Sequence, residues 1–133
     1  MKNRSLKYRL EKTITFEASH VLEGMPEGHK CGRVHGHSYE VTVTLTSNTL
    51  DGAGMVLDTG AIAYVRDALD HRHLNDVIKI NPTAENLARW VYESMNKVIL
   101  VADAQDDVVV ERVRVAETRS AWVEVVAVDE DES

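Results

Sequence analysis

The sequence predicts an α+β fold in which two helices pack on one face of a four-stranded antiparallel sheet, with the elements in the order β-β-α-α-β-β. Three observations lead there. Residues of alternating polarity occupy both ends of the chain, helix signals are confined to its middle, and the last third is rich in valine with one break of hairpin type. At 133 residues, 44% hydrophobic and 28% charged, the chain can bury a core without disulfide or metal staples.

The first strand is marked by Tyr8, Leu10, Ile14 and Phe16, which recur at mostly even spacing. The second is marked by Tyr39, Val41, Val43 and Leu45 alternating with Glu40, Thr42 and Thr44, the period-2 pattern of a half-buried strand. Between them the stretch from Leu22 to Gly36 is long and glycine-rich and carries Cys31 among histidines. Connections of that length in compact domains are often functional.

After the turn signal Asp51-Gly52, Ala61 to Leu69 reads as a short helix. Asn81-Pro82-Thr83-Ala84-Glu85 opens a second one, with Thr83 or Asn81 as cap and Glu85 in the first turn, where the helix dipole favours an acid. Leu87, Trp90, Val91 and Val98 mark its buried stripe. Val108 to Glu117 and Ala121 to Val128 return to strand, with the hairpin break at Thr118 to Ser120. Two helices cannot cover both faces of such a sheet, so association between copies through the sheet is expected.

Residues 1–128 read as a single domain, and 129–133 as an acidic, solvated tail containing Asp129, Glu130, Asp131 and Glu132. The net charge of −7 repels a phosphate backbone, so no nucleic-acid partner is expected. No apolar run approaches the roughly 18 residues of a membrane span, and no signal-type core follows the polar start. A cytoplasmic location is expected. Cys31 is the only cysteine, which excludes a disulfide framework and leaves the thiol as packing or chemistry.

The densest chemical signal is Cys31-Gly32-Arg33-Val34-His35-Gly36-His37. In an extended segment, residues two apart point to the same side, so His35 and His37 can offer two imidazoles to one ion. His20, at the end of the first strand, is the natural third ligand if the two strands pair. Three neutral imidazoles leave a fourth tetrahedral position for water or substrate, the arrangement of catalytic zinc. An H-x-H pair also arises by chance, and its histidines then make ordinary hydrogen bonds. Cys31 can be a further ligand, inert packing, or a nucleophile or base; its glycine-rich, His- and Arg-flanked setting favours the reactive role.

Asp70-His71 is a second constellation, since a carboxylate fixes an imidazole tautomer and raises its basicity. A helix cap with a dipole partner is the plainer reading. Glu117 is the third: it shares the phase of Val113 and Val115, so its carboxylate points to the buried side and needs a partner. The paired N–H donors of a guanidine-like heterocycle edge would satisfy it; the plainer reading is an end-of-strand Glu turned toward solvent or paired with an arginine such as Arg112 or Arg114.

Together these segments resemble the 6-pyruvoyl-tetrahydropterin synthase superfamily, and within it the 6-carboxy-tetrahydropterin synthase branch of queuosine-precursor biosynthesis. The resemblance runs from about Phe16 to Trp122. It rests on Phe16-Glu17-Ala18-Ser19-His20, on Glu27 through His37, on Leu69-Asp70-His71, Leu74-Asn75 and Asn81-Pro82-Thr83-Ala84-Glu85-Asn86, and on Glu117-Thr118. The three-residue gap between Cys31 and His35 is that of the carboxy branch.

The resemblance implies a tunnelling fold, with sheets of several subunits joined into a barrel, commonly a hexamer of two trimers with active sites between subunits. It implies conversion of 7,8-dihydroneopterin triphosphate to 6-carboxy-5,6,7,8-tetrahydropterin with loss of triphosphate and acetaldehyde. Zinc would sit on His20, His35 and His37, Cys31 would be the general base, and Asp70 with His71 would activate it. Glu117 would anchor the pterin edge, and Thr83 would contribute across an interface. The segment from Asp58 to Asp70 is shorter than is usual there, and His73 adds an imidazole beside Asp70-His71. The alternatives are the pyruvoyl-forming elimination and a zinc- or pterin-binding module without turnover.

Overall fold

A computed structural model describes residues 3–132; the first two residues of the polar start and Ser133 of the acidic tail lie outside them. Strand β1 spans Tyr8–His20 and β2 spans His35–Ser47. They pair antiparallel along their whole length, from Tyr8 opposite Ser47 to His20 opposite His35. β2 pairs antiparallel with β4 (Val109–Thr118), which pairs antiparallel with β5 (Ala121–Val126).

Between β2 and β4 run α1 (Ala63–Leu69), the two-residue strand β3 (Arg72–His73), the single turn α2 (Leu74–Val77) and the long helix α3 (Ala84–Val101). The sheet order is β3-β1-β2-β4-β5. β3 runs parallel to β1 at Ala18–Ser19. The expectation of four antiparallel strands and two helices is therefore corrected: among the described residues the sheet is mixed and five-stranded, and there are three α-helical segments. The misses share a cause. A two-residue strand and a four-residue helix are shorter than the several repeats over which a period can be read.

What creates β3 is a set of bonds that tie the end of α1 to β1. Glu17 N–H donates to Asp70 Oδ1 at 3.0 Å, and His71 N–H donates to the Glu17 carbonyl at 2.7 Å. The helix expected from Ala61 begins in α geometry at Ala63, after a tighter turn over Thr59–Ile62 that Asp58 caps through Gly60 N–H. α3 is capped by Thr83, whose Oγ1 accepts from Asn86 N–H at 3.1 Å.

The core lies between the helices and one sheet face. Ile14, Phe16 and Ala18 of β1, Tyr39, Val41, Val43 and Leu45 of β2, and Val110, Val113 and Val115 of β4 meet Val65, Leu69, Leu74, Leu87, Val91 and Met95 from the helical side. This is the even-spaced set along each strand, interrupted in β4 by an irregularity near Thr44–Leu45 of its partner. The opposite face is polar. There Thr13 and Thr42 share a hydroxyl bond of 2.8 Å, Arg112 donates to Glu11 at 3.0 Å, and Arg114 lies 4.1 Å over the Trp122 ring. Among the described residues, no helix is long and apolar enough to cross a membrane.

Candidate metal centre

The inner-face phase that carries Phe16 and Ala18 into the core continues to His20, and the phase of Tyr39 in β2 runs back through His37 to His35. Because His20 and His35 are opposite each other in the ladder, three imidazoles converge at the loop end of the sheet, on the side of the core. Their ring centroids are 4.5–5.1 Å apart. Glu117, at the end of β4, joins them: its Oε1 is 2.7 Å from His37 Nε2 and 3.4 Å from His20 Nε2. One ligand atom from each of His20, His35, His37 and Glu117 falls within 4.8 Å of the others.

The outer hydrogen bonds decide which nitrogens face inward. A carbonyl can only accept, so His20 Nδ1 donates to the Pro82 carbonyl at 2.9 Å and His35 Nδ1 donates to the Arg33 carbonyl at 2.7 Å. In each neutral ring that leaves Nε2 with a lone pair, and the two Nε2 atoms are 2.9 Å apart. His37 Nε2 is buried without a well-aligned hydrogen bond, despite its closeness to Glu117. Converging lone pairs backed by carbonyl-held N–H groups are the arrangement around a divalent metal with nitrogen and oxygen ligands. The donor set fits a metal ion.

Protonation tendencies agree in part. Burial holds His37 below the ordinary imidazole value against the attraction of Glu117, with His20 and His35 adding repulsion. Glu117 is held below the ordinary carboxylate value by the His20 imidazole beside it, against burial and with help from His37. Both groups thus favour their ligand forms. His20 goes the other way: burial lowers it, but Glu117 and the Pro82 carbonyl together raise it further. The carbonyl bond already assigns its one proton to Nδ1, so the geometry, rather than this shift, defines the inward Nε2. Burial also drives the Tyr39 hydroxyl, 3.3 Å from His20 Nδ1, well above its usual range.

Cys31 sits in a tight turn over Lys30–Gly32, capped by the His29 ring, which accepts from Cys31 N–H at 3.0 Å. It lines a cavity of about 410 Å³ together with Arg33, His35, His37 and Glu117. Asp70 and His71 are elsewhere. Asp70 Oδ1 is 3.0 Å from His71 Nδ1, and His71 adopts φ 58° with its side chain 81% exposed. A positive φ on a β-substituted residue is uncommon and costs energy. The Glu17 N–H, against some burial and with help from His71 and Arg66, holds the Asp70 carboxyl below its ordinary value. His71 faces a cavity of about 430 Å³ shared with Ser19, His37, Ser38, Arg72 and His73. His73 Nδ1 is 2.9 Å from Ser19 Oγ, so the additional imidazole has a local partner. Thr83 is occupied in capping α3. Another cavity, of about 790 Å³, lies between the end of α3 and the start of β4 and is lined by none of these residues.

Several contributors were not foreseen from the sequence as parts of a site. The Pro82 and Arg33 carbonyls orient the histidines. Asn75 bridges both backbone groups of Val21, and Asn81 does the same for Glu23, at 2.8–3.1 Å, so these two asparagines pin the chain as it leaves β1. Their side chains imitate a strand edge, and no spacing rule marks that.

Comparison with known proteins agrees with this architecture. The family model for 6-pyruvoyl tetrahydropterin synthase matches residues 9–127. A protein of Archaeoglobus fulgidus that bears the provisional name 6-carboxy-5,6,7,8-tetrahydropterin synthase is 32% identical over 117 residues, covering 85% of this chain and 90% of that one. The 6-carboxy-5,6,7,8-tetrahydropterin synthase of Synechocystis is 35% identical over 96 residues, covering 65% of this chain and 73% of its own. The structure of Caenorhabditis elegans 6-pyruvoyl tetrahydropterin synthase superposes with a TM-score of 0.74 at 25% identity, covering 96% of this chain and 100% of that one. With the match spanning nearly the whole chain, the protein belongs to the 6-pyruvoyl tetrahydropterin synthase family of enzymes.

Proposed function

We propose that this enzyme converts 7,8-dihydroneopterin triphosphate to 6-carboxy-5,6,7,8-tetrahydropterin, releasing acetaldehyde and triphosphate, and that it uses zinc held by His20, His35 and His37. The observation that carries the reading is the convergence of three imidazoles on one point, two of which, His35 and His37, line a cavity together with Cys31. The 6-carboxy-5,6,7,8-tetrahydropterin synthase names of the relatives and the three-residue spacing from Cys31 to His35 favour the carboxy product over the pyruvoyl one.

A bound divalent metal would supply Lewis-acid polarisation of the substrate's side-chain oxygens, which makes the neighbouring C–H protons more acidic. Cys31 Sγ, opening onto that cavity, would take such a proton as general base. His71, oriented through Nδ1 by Asp70, would receive the proton and return it. Glu117 offers a carboxylate to the amino-pyrimidine edge of the pterin, whose paired N–H donors it can accept. The Thr83 hydroxyl oxygen accepts one bond in the cap of α3, so a contribution to a neighbouring subunit would use its O–H proton, its second lone pair or its backbone.

Cys31 and His71 of one chain open onto different cavities, which supports sites completed between subunits. A barrel of joined sheets, commonly a hexamer of two trimers, would bring the two together and would cover the polar sheet face that the helices leave bare. The substrate chemistry fits a place in queuosine or related deazapurine synthesis, in the cytoplasm, with residues 1–128 acting as one domain and 129–133 as a solvated tail. Product analysis tests the reading: acetaldehyde released with a carboxy-tetrahydropterin supports it, and a pyruvoyl product without acetaldehyde replaces it.

A further inference from the structure

The pterin-anchoring role leaves one feature of Glu117 unexplained, which is where its carboxylate rests. Oε1 is 2.7 Å from His37 Nε2 and 3.4 Å from His20 Nε2. His37 Nε2 nevertheless lacks a well-aligned hydrogen bond. Two polar atoms this close whose axes do not meet are arranged about a third point. The same point is faced by His20 Nε2 and His35 Nε2, each turned inward by a carbonyl at Nδ1.

Three nitrogens and one carboxylate oxygen make a complete tetrahedral set, which closes a site that catalysis needs open. Cys31 lines the cavity, but its thiol is not in the ligand group found among the described residues. Glu117 lies at an irregularity in the pairing of β4 with β5, between Ala116 and Thr118, and has no partner in that register. A turn of the carboxylate about its side-chain bonds would carry Oε1 off that point and into the cavity that Glu117 lines.

We propose that Glu117 is the fourth metal ligand of the resting protein, and that the amino-pyrimidine edge of an incoming pterin draws it off the metal and so opens the coordination position. The inference rests on the metal-dependent pterin reading above and adds a switch to it. A paired N–H edge engages both carboxylate oxygens, including the Oε1 that faces the histidine nitrogens, so recognition of the heterocycle competes with coordination and is coupled to exposure of the metal. Without pterin, the metal is closed to water.

The test is the visible absorption of the Co2+-loaded full chain, followed from about pH 6 to about pH 9 across the roughly neutral pKa of metal-bound water. The wild-type spectrum is expected to be unchanged with pH, because no water is bound. Neopterin, which lacks the triphosphate, is expected to change it toward that of Glu117→Ala, whose spectrum titrates. Glu117→Ala should also bind Co2+ more weakly, by at least the about 10–100-fold typical of losing an outer-shell partner. A wild-type spectrum that titrates by itself overturns the proposal even if the variant does not fold, and so do identical spectra for the two proteins. Failure of the wild-type chain to bind Co2+ at all removes the metal reading along with it.

Discussion

Cys31 and His71 of one chain line two separate cavities, and His37 is the residue that borders both. In the proposed mechanism, a base and a relay placed this way would meet across two subunits. Cys31→Ala and His71→Ala should each slow turnover by about 10²-fold or more when assayed alone. When the two variants are unfolded together and reassembled, about a quarter of the sites recover, since each site draws an intact Cys31 and an intact His71 independently from a mixed pool. Activity measured before and after mixing reads this directly; no recovery in correctly assembled mixtures would place the site within a single chain.

Metal removal should destabilise the folded chain, because the inward lone pairs of His20 and His35, 2.9 Å apart, repel without a cation between them. A ligand present at about 1,000 times its dissociation constant stabilises by roughly 4 kcal/mol. Zinc added to stripped protein should therefore raise Tm by several degrees. His20→Ala should remove most of that response, and a zinc-induced rise in His20→Ala equal to that of wild type would show that the ion binds elsewhere.

Thr83 distinguishes a structural from a substrate role. Its Oγ1 caps α3, so Thr83→Ala should cost about 1 kcal/mol in denaturant unfolding, whereas Thr83→Ser should cost little. The KM of Thr83→Ser should stay near wild type. An alanine variant as stable as wild type would contradict the cap assignment.

Asp107 gives the clearest pH dependence away from the metal centre. The Thr49 hydroxyl, then the Ser47 hydroxyl and Asn48 N–H, hold its carboxyl below the ordinary value against some desolvation. A group depressed in the folded state adds stability above its unfolded pKa, about 3.9, and that stability is lost as pH falls through the folded value. Asp107→Asn should therefore lower Tm at neutral pH, with the gap to wild type closing under acid. A gap that stays constant from neutral pH to about pH 3 would mean that the charge is not what matters.

How much of this was legible beforehand depended on how regular each segment is. Long strands such as β2 declared themselves through Val41, Val43 and Leu45, and the phase of His37 and Glu117 followed from the same alternation. α3 was marked by its cap and stripe. The two-residue β3 and one-turn α2 were not, because their existence depends on tertiary bonds from Glu17 to Asp70 and His71. The closeness of Glu117 to the histidines was hidden for a similar reason. Phase gives the side of a sheet on which a carboxylate lies, but its distance from residues three strands' width of sequence away is set by how β4 aligns on β2. The backbone carbonyls of Arg33 and Pro82 carry no sequence signal at all.

The most direct measurement is incubation of zinc-replete protein with 7,8-dihydroneopterin triphosphate, quantifying acetaldehyde and the pterin product together, beside zinc-stripped protein and Cys31→Ala. The account predicts acetaldehyde and 6-carboxy-5,6,7,8-tetrahydropterin in equal amounts from the zinc-replete wild type only, with Cys31→Ala retaining zinc but slower by about 10²-fold or more. Turnover undiminished in either the stripped protein or Cys31→Ala, or a product formed without acetaldehyde, would contradict it.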